Sequence, residues 1–268
     1  SSISKGSKLG IRDANLEVGT EQWLTQTGGR LTVLEALWLS AQGLAQTIQA
    51  RAPWHSGPSD LEASNQFTRV AAARKELDKV LPSLQNRALD RQGQDVLNHS
   101  CRTYLLGAAL ITQEVFHRLD LTVAAVAALS HDDGLLHPST QGNCFTADSV
   151  IETSFMMANL GLTESSALGA RAAVISHFQP KLPNNAGAEA QLVALGASAD
   201  VMGIGLRKIH PQLVREIWQE WPDVGFLAHM KKLLKGEISR APRTRAGILA
   251  LSGMPYLLRK SKVEESTN

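Results

Sequence analysis

An all-α, single-domain bundle is the fold this sequence predicts, and three observations carry the prediction. Alanine and leucine are abundant while aromatics make up 5% of the 268 residues, a mix that favours helix over sheet. From Thr32 onwards, apolar residues recur at steps of three and four, the period of a helix with a buried face. The apolar stretches are separated by Pro, Gly and Asp punctuation, with no series of alternating strands and no internal repeat.

The elements follow in chain order. Residues 1–28 are polar and close at Gly28-Gly29; they read as a flexible N-terminal tail with at most a short helix around Trp23. Residues 29–90 read as N-terminal helices packing on the core. In the first, Val33, Leu34, Leu37, Trp38, Ala41, Leu44, Ala45 and Ile48 recur until Pro53 and His55-Ser-Gly-Pro-Ser-Asp break the pattern. Asp60 caps the next, which runs through Phe67 and Val70 to about Leu81, where Pro82 is expected to stop it. The core, 91–205, holds helices over roughly 92–117, from Asp120 to Asp133-Gly134, over 146–160 as far as Gly161, from Thr163 to Phe178-Gln179-Pro180, and over 187–203. Residues 206–268 carry a helix with Trp218 and Trp221 after Pro211, further helices over 224–234 and 246–251, and a basic tail.

Charge and composition narrow the function classes. With 27 Lys+Arg against 25 Asp+Glu, the formal charge of +2 is near balance, so a polyanion is not the expected main partner. The basic runs 231–245 and 257–262 have no interleaved aromatics to stack on bases, and a solvated face is the reading preferred for them over a nucleic-acid site. Two cysteines exclude a disulfide scaffold and a Cys-based zinc ribbon. No apolar run reaches the ~20 residues a bilayer requires, and the first residues lack the apolar segment of a signal peptide. The expectation is a cytoplasmic protein acting on a small molecule, with a homo-oligomer left open.

Four apolar helices each deliver a candidate metal ligand: His99, the pair His131-Asp132, His177 and Asp200. Singly, each is an ordinary residue. Together they are titratable groups set in apolar surroundings, which carry a desolvation cost unless paired, and one shared divalent cation would pair them. Asp132 also ends a helix, where the macrodipole disfavours an anion without a compensating cation. Imidazole and carboxylate suit Zn, Fe, Mn, Ni or Co, with zinc the expected ion.

The order His … His-Asp … Asp resembles the HD superfamily of metal-dependent hydrolases over about residues 90–205. Within it, Asn98-His99-Ser100-Cys101-Arg102-Thr103-Tyr104-Leu105-Leu106-Gly107 is similar to the Asn-His-Ser-x-Arg-x-Tyr-x-x-Gly signature of the subgroup containing cyanamide hydratase. The His131-Asp132-Asp133-Gly134 block, Phe145-Thr146-Ala147-Asp148, the helix ending in His177 and the block closing on Asp200 resemble its later segments. The resemblance implies an HD-type bundle with a metal site at its centre. It implies His99, His131, Asp132 and Asp200 as metal ligands, and His177 as a position near the metal for substrate or a second ion; the expected catalytic group is Asp132, accepting the proton of the water, with His177 as the alternative acid/base. Phe145 and Asp148 of the matching segment are expected as substrate contacts, and Arg102, three positions after His99 on the same helix face, is a candidate for holding an anionic substrate group or neutralising a site carboxylate. Only His137 and His177 lie between the His-Asp pair and Asp200, which favours one ion over two.

The implied reaction is attack of a metal-activated water on a small molecule, a cyanamide- or nitrile-like C–N substrate first. A nucleotide or phosphate-ester phosphohydrolase is the enzymatic alternative, and a regulatory HD module the non-enzymatic one. The only cations expected near the site are Arg102 and Arg171, fewer than phosphate substrates usually call for. Arg102 reads equally as a structural ion pair. Asp133 departs from the subgroup's pattern; it is read as a solvent-exposed helix-end acid or, second, as an acceptor orienting His131. Cys101 and Cys144 are expected as small buried residues, and Trp218 and Trp221 as core anchors.

Overall fold

The computed structural model describes residues 16–51, 57–139 and 142–251. The expected tail before residue 16, part of the break around His55 and the basic run 257–262 lie outside them. The helices are α1 (Glu21–Thr27), α2 (Val33–Arg51), α3 (Asp60–Leu110), α4 (Gln113–Phe116), α5 (Leu121–Ser130), α6 (Asp133–Leu136), α7 (Phe145–Asn159), α8 (Glu164–Ser176), α9 (Ala188–Met202), α10 (Pro211–Glu220), α11 (Phe226–Arg240) and α12 (Arg245–Leu251). A 3₁₀ turn, Leu206–Lys208, joins α9 to α10. There is no strand among the described residues, only a single bridge between Arg30 and Thr244. The fold is all-α, with one continuous packed body.

At its centre lies the second half of α3, buried without interruption from Val96 to Ala109. It packs between α5 and α9, with α7 and α8 closing the bundle. Gly196 on α9 faces α3 so closely that a Cβ there would overlap the Thr103 carbonyl. Only a glycine lets the two backbones approach this far, and the approach brings Asp200 on α9 up to His99 and Arg102 on α3.

Two expectations about α3 change. Pro82 does not end the helix. The carbonyl it leaves unbonded, that of Asp78, belongs to an exposed residue and can bond water, while the buried stripe Leu77, Leu81, Leu84 and Ala88 runs on past it. The break falls at Gly93, with φ 76° and ψ 168°, a left-handed excursion that L residues disfavour. The helix expected over 92–117 ends at Leu110, and Thr112 caps the short α4 instead.

Part of the expected tail belongs to the body. Thr20 caps α1, which seats Trp23 with no exposed surface. The connection after α1 is stitched to two distant segments. Gly28 O accepts from Cys144 N at 2.8 Å, and Gly29 O accepts from Arg245 N at 2.8 Å.

Candidate metal centre

Two of the site's histidines are made by the same local device. His131 follows the last residue of α5 and His177 the last of α8. Each turns its Nδ1–H back onto the carbonyl three residues earlier, Ala128 at 2.7 Å and Val174 at 2.6 Å. Those carbonyls belong to the orphan set that every helix C-terminus leaves. In both cases the preceding serine bonds its own i−4 carbonyl, Ser130 to Val126 and Ser176 to Ala172, each at 2.8 Å. Because a carbonyl can only accept, the proton is fixed on Nδ1 and Nε2 presents a lone pair.

His99 reaches the same state by another route. Its Nδ1–H donates to Asp200 Oδ2 at 2.6 Å, again leaving Nε2 as an acceptor. His99 Nε2 and His131 Nε2 stand 3.1 Å apart. Asp132 Oδ2 lies 3.4 Å from the first and 3.3 Å from the second. For ligand bonds of about 2.1 Å at tetrahedral angles, ligand atoms sit roughly 3.4 Å from one another. The three atoms therefore form the face of a small coordination polyhedron, and all three residues are buried. Two imidazole lone pairs and a carboxylate, with no N–H among them, fit a divalent cation.

The electrostatics express the same demand. Burial opposes charging His99, but the carboxylates of Asp132 and Asp200 outweigh it and raise its pKa. Burial likewise opposes ionising Asp132, yet the three surrounding histidines hold its carboxyl well below the usual range. His177 goes the other way: burial pulls it down to about 4, so it is neutral at pH 7.

The expected site residues do not all converge. Asp200, expected as a ligand, stands behind the ring of His99. The reason is Arg102, whose Nε and Nη2 donate to its two oxygens at 2.7 and 2.9 Å, so Asp200 orients His99 from Nδ1. Burial would raise the Asp200 pKa, but the Arg102 charge and the His99 bond lower it. Arg102 itself is buried and donates also to Trp221 O at 2.9 Å, which makes it a structural ion pair. His177 lies just outside the three-atom group. Its Nε2 is 3.6 Å from Asp132 Oδ1 and has no hydrogen-bond partner among the described residues.

Phe145 lies edge-on to the His177 ring, with centroids 5.9 Å apart. Asp148 accepts from Ser139 N at 2.9 Å and holds the segment before α7. Arg171 is engaged by Glu21 and Glu164. His137 faces the Arg91 carbonyl, 2.8 Å away.

Asp133 corrects the preferred reading of that residue. It is buried rather than exposed, because Arg91 takes both its oxygens at 2.9 and 2.6 Å. Arg91 also lies 3.3 Å from Glu152, which pairs with Arg87. This balanced set of two cations and two anions pins the turn that carries His131 and Asp132. Asp132 itself has φ −105° and ψ 3°, in a sparsely populated region.

No protein-family model matches this chain, and no curated protein matches it. The structure shows an all-helical fold with a buried His/Asp group that could hold a metal ion. Among the described residues no helix is long and apolar enough to cross a membrane.

One wall of the site was not legible. Phe226 stacks on the His99 ring at 4.0 Å and 11°. Its only sequence signal is Asp223, whose carboxylate accepts from Gly225 N and Phe226 N and starts α11 at that point. Asn98 and Arg102, neighbours of His99 on α3, anchor the Trp221-Pro222 connection through its carbonyls.

Proposed function

We propose that the chain is an HD-type, metal-dependent hydratase or hydrolase of a small molecule, with a cyanamide- or nitrile-like C–N substrate favoured. The observation that carries this reading is the convergence of His99 Nε2, His131 Nε2 and Asp132 Oδ2 at 3.1–3.4 Å. These three would hold one divalent ion, zinc by preference, with Fe, Mn, Ni or Co suited to the same donors. When bound, such an ion acts as a Lewis acid and brings the pKa of a water towards neutrality.

The chain's own groups supply the rest. Asp132 divides its oxygens, Oδ2 towards the Nε2 atoms of His99 and His131 and Oδ1 towards His177. His177, neutral and with a bare Nε2, accepts the proton of the attacking water and returns it to the substrate nitrogen. Asp200 and Arg102 hold the His99 ring in its tautomer. Phe226 and Phe145 keep bulk water from the imidazoles.

A neutral substrate is favoured because both cations expected near the site are spent on carboxylates, Arg102 on Asp200 and Arg171 on Glu21 and Glu164. The phosphohydrolase reading lacks the cations it would use. The binding-module reading rests on the basic run 231–245, in which Arg240 pairs with Glu237 and Arg245 is buried, so the run is no single charged face.

Elemental analysis with turnover assays on cyanamide, nitriles and phosphate diesters tests the proposal. The expected result is one equivalent of metal, lost in His99→Ala and Asp132→Ala, with turnover of the C–N substrate falling about 10³-fold or more, some 4 kcal/mol of barrier. Failure to bind metal after reconstitution overturns it. Turnover of phosphate diesters alone transfers the site to the phosphohydrolase reading.

A further inference from the structure

Three arginines among the described residues are fully buried: Arg69, Arg102 and Arg245. Two have a carboxylate against the guanidinium, Glu62 at 2.6 Å from Arg69 and Asp200 at 2.7 Å from Arg102. Arg245 has none. Its terminal nitrogens donate to uncharged acceptors, Gln179 Oε1 at 3.0 Å, Thr146 Oγ1 at 3.2 Å and the Ile175 carbonyl. Its Nε–H has no acceptor among the described residues.

The guanidinium lies 5.3 Å above the ring of Trp23, which is also wholly buried and whose Nε1–H likewise has no acceptor. Two unmatched N–H donors therefore occupy one buried locality that carries a full positive charge. The buried Cys144 thiol sits against the guanidinium, whereas the carboxylates on the surrounding elements are engaged elsewhere. Glu21 on α1 holds Arg171, Glu237 on α11 holds Arg240 and Phe145 N, and Asp148 on α7 holds Ser139 N. A buried guanidinium without a carboxylate partner carries a large desolvation cost, and a thiol, a π face and three neutral dipoles compensate only part of it.

We propose that Arg245 and Trp23 form a binding site for a small monoanion, a halide or a single carboxylate of formate size, held by Arg245 Nε–H and Trp23 Nε1–H. The site is separate from the metal centre and lies behind its His177 wall, since the Ile175 carbonyl that Arg245 grips is two residues from His177. It fits a monoanion because the locality offers one positive charge and two free donors, where a phosphate would bring more charge and more oxygens than they match.

The test uses the metal-stripped full chain in a buffer whose sole anion is gluconate, too large for the site. Bromide and formate are titrated while thermal unfolding is followed. The expected result is a saturable rise of a few degrees in Tm as the anion exceeds its Kd about a hundredfold. Whether bromide or formate gives the rise decides between halide and carboxylate. Arg245→Met should abolish it. Should that variant fail to fold, Trp23→Phe keeps an aromatic face, loses the N–H with the pyrrole ring, and should weaken binding about tenfold, the value of one hydrogen bond to a charged group. Crystals grown in bromide should show an anomalous peak between the two side chains. A Tm that responds alike to every anion, an unchanged affinity in Trp23→Phe, or a water in place of the peak would each overturn the proposal.

Discussion

The two sides of the α8 C-terminus are opposites. On one side, around Asp132, three histidines and a carboxylate face one another with every lone pair directed inwards and no proton to share. On the other, around Arg245, the buried polar atoms without partners are N–H donors. Both regions are fully buried, and both are polar. What separates them is the sign of the unmet need, which calls for a cation in the first and an anion in the second. The difference teaches that a buried polar cluster is read less by which residue types it holds than by where the protons are fixed.

The comparison breaks most visibly at the arginines. Arg102→Met strands the buried Asp200 carboxylate and should cost about 3–5 kcal/mol in urea unfolding. Arg245→Met strands no carboxylate and should cost clearly less. Equal losses would mean that Arg245 has an internal counter-charge.

A second test concerns His177 in the metal-free protein. Its folded pKa, about 4, lies below the unfolded value near 6.5, so between these pH values the unfolded chain binds the extra proton. The contribution of neutral His177 is therefore complete above pH 6.5 and is lost as pH falls towards 4, about 3 kcal/mol in all. The difference between wild type and His177→Gln should follow that curve, and a flat difference would show that the imidazole is not desolvated.

Smaller still is the effect of orientation. Asp200→Asn keeps a partner for His99 but removes the charge, and metal affinity by competition titration should fall 10–100-fold, roughly 1.4–2.7 kcal/mol. Loss of all metal would instead place Asp200 among the ligands. The smallest change is expected from Asp133→Asn, about 1 kcal/mol, because its partner Arg91 is 30% exposed and keeps Glu152.

Much of this was legible from the chain. Asp120, Thr163 and Gly203 mark helix ends that the structure places where composition indicates, and His99, His131 and Asp132 do meet. What escaped depended on contacts far apart in sequence. Pro82 looked like a stop because sequence does not say which side of a helix faces water. Asp133 looked exposed because its partner Arg91 lies on α3, 42 residues earlier. Asp200 looked like a ligand because its capture by Arg102 depends on how closely α9 meets α3. One local signal does carry part of the site: Ser130-His131 and Ser176-His177 close two apolar helices in the same way.

That repeated ending has a practical consequence. His131 and His177 each terminate the helix that precedes them, so alanine at either place damages the scaffold and the chemistry together. An asparagine can still donate to the carbonyl three residues back, but its shorter side chain puts no atom where the Nε2 lone pair stands. Asn at 131 and 177 would thus yield a chain with the same architecture and a silent centre, a blank template into which other ligands could be written one position at a time.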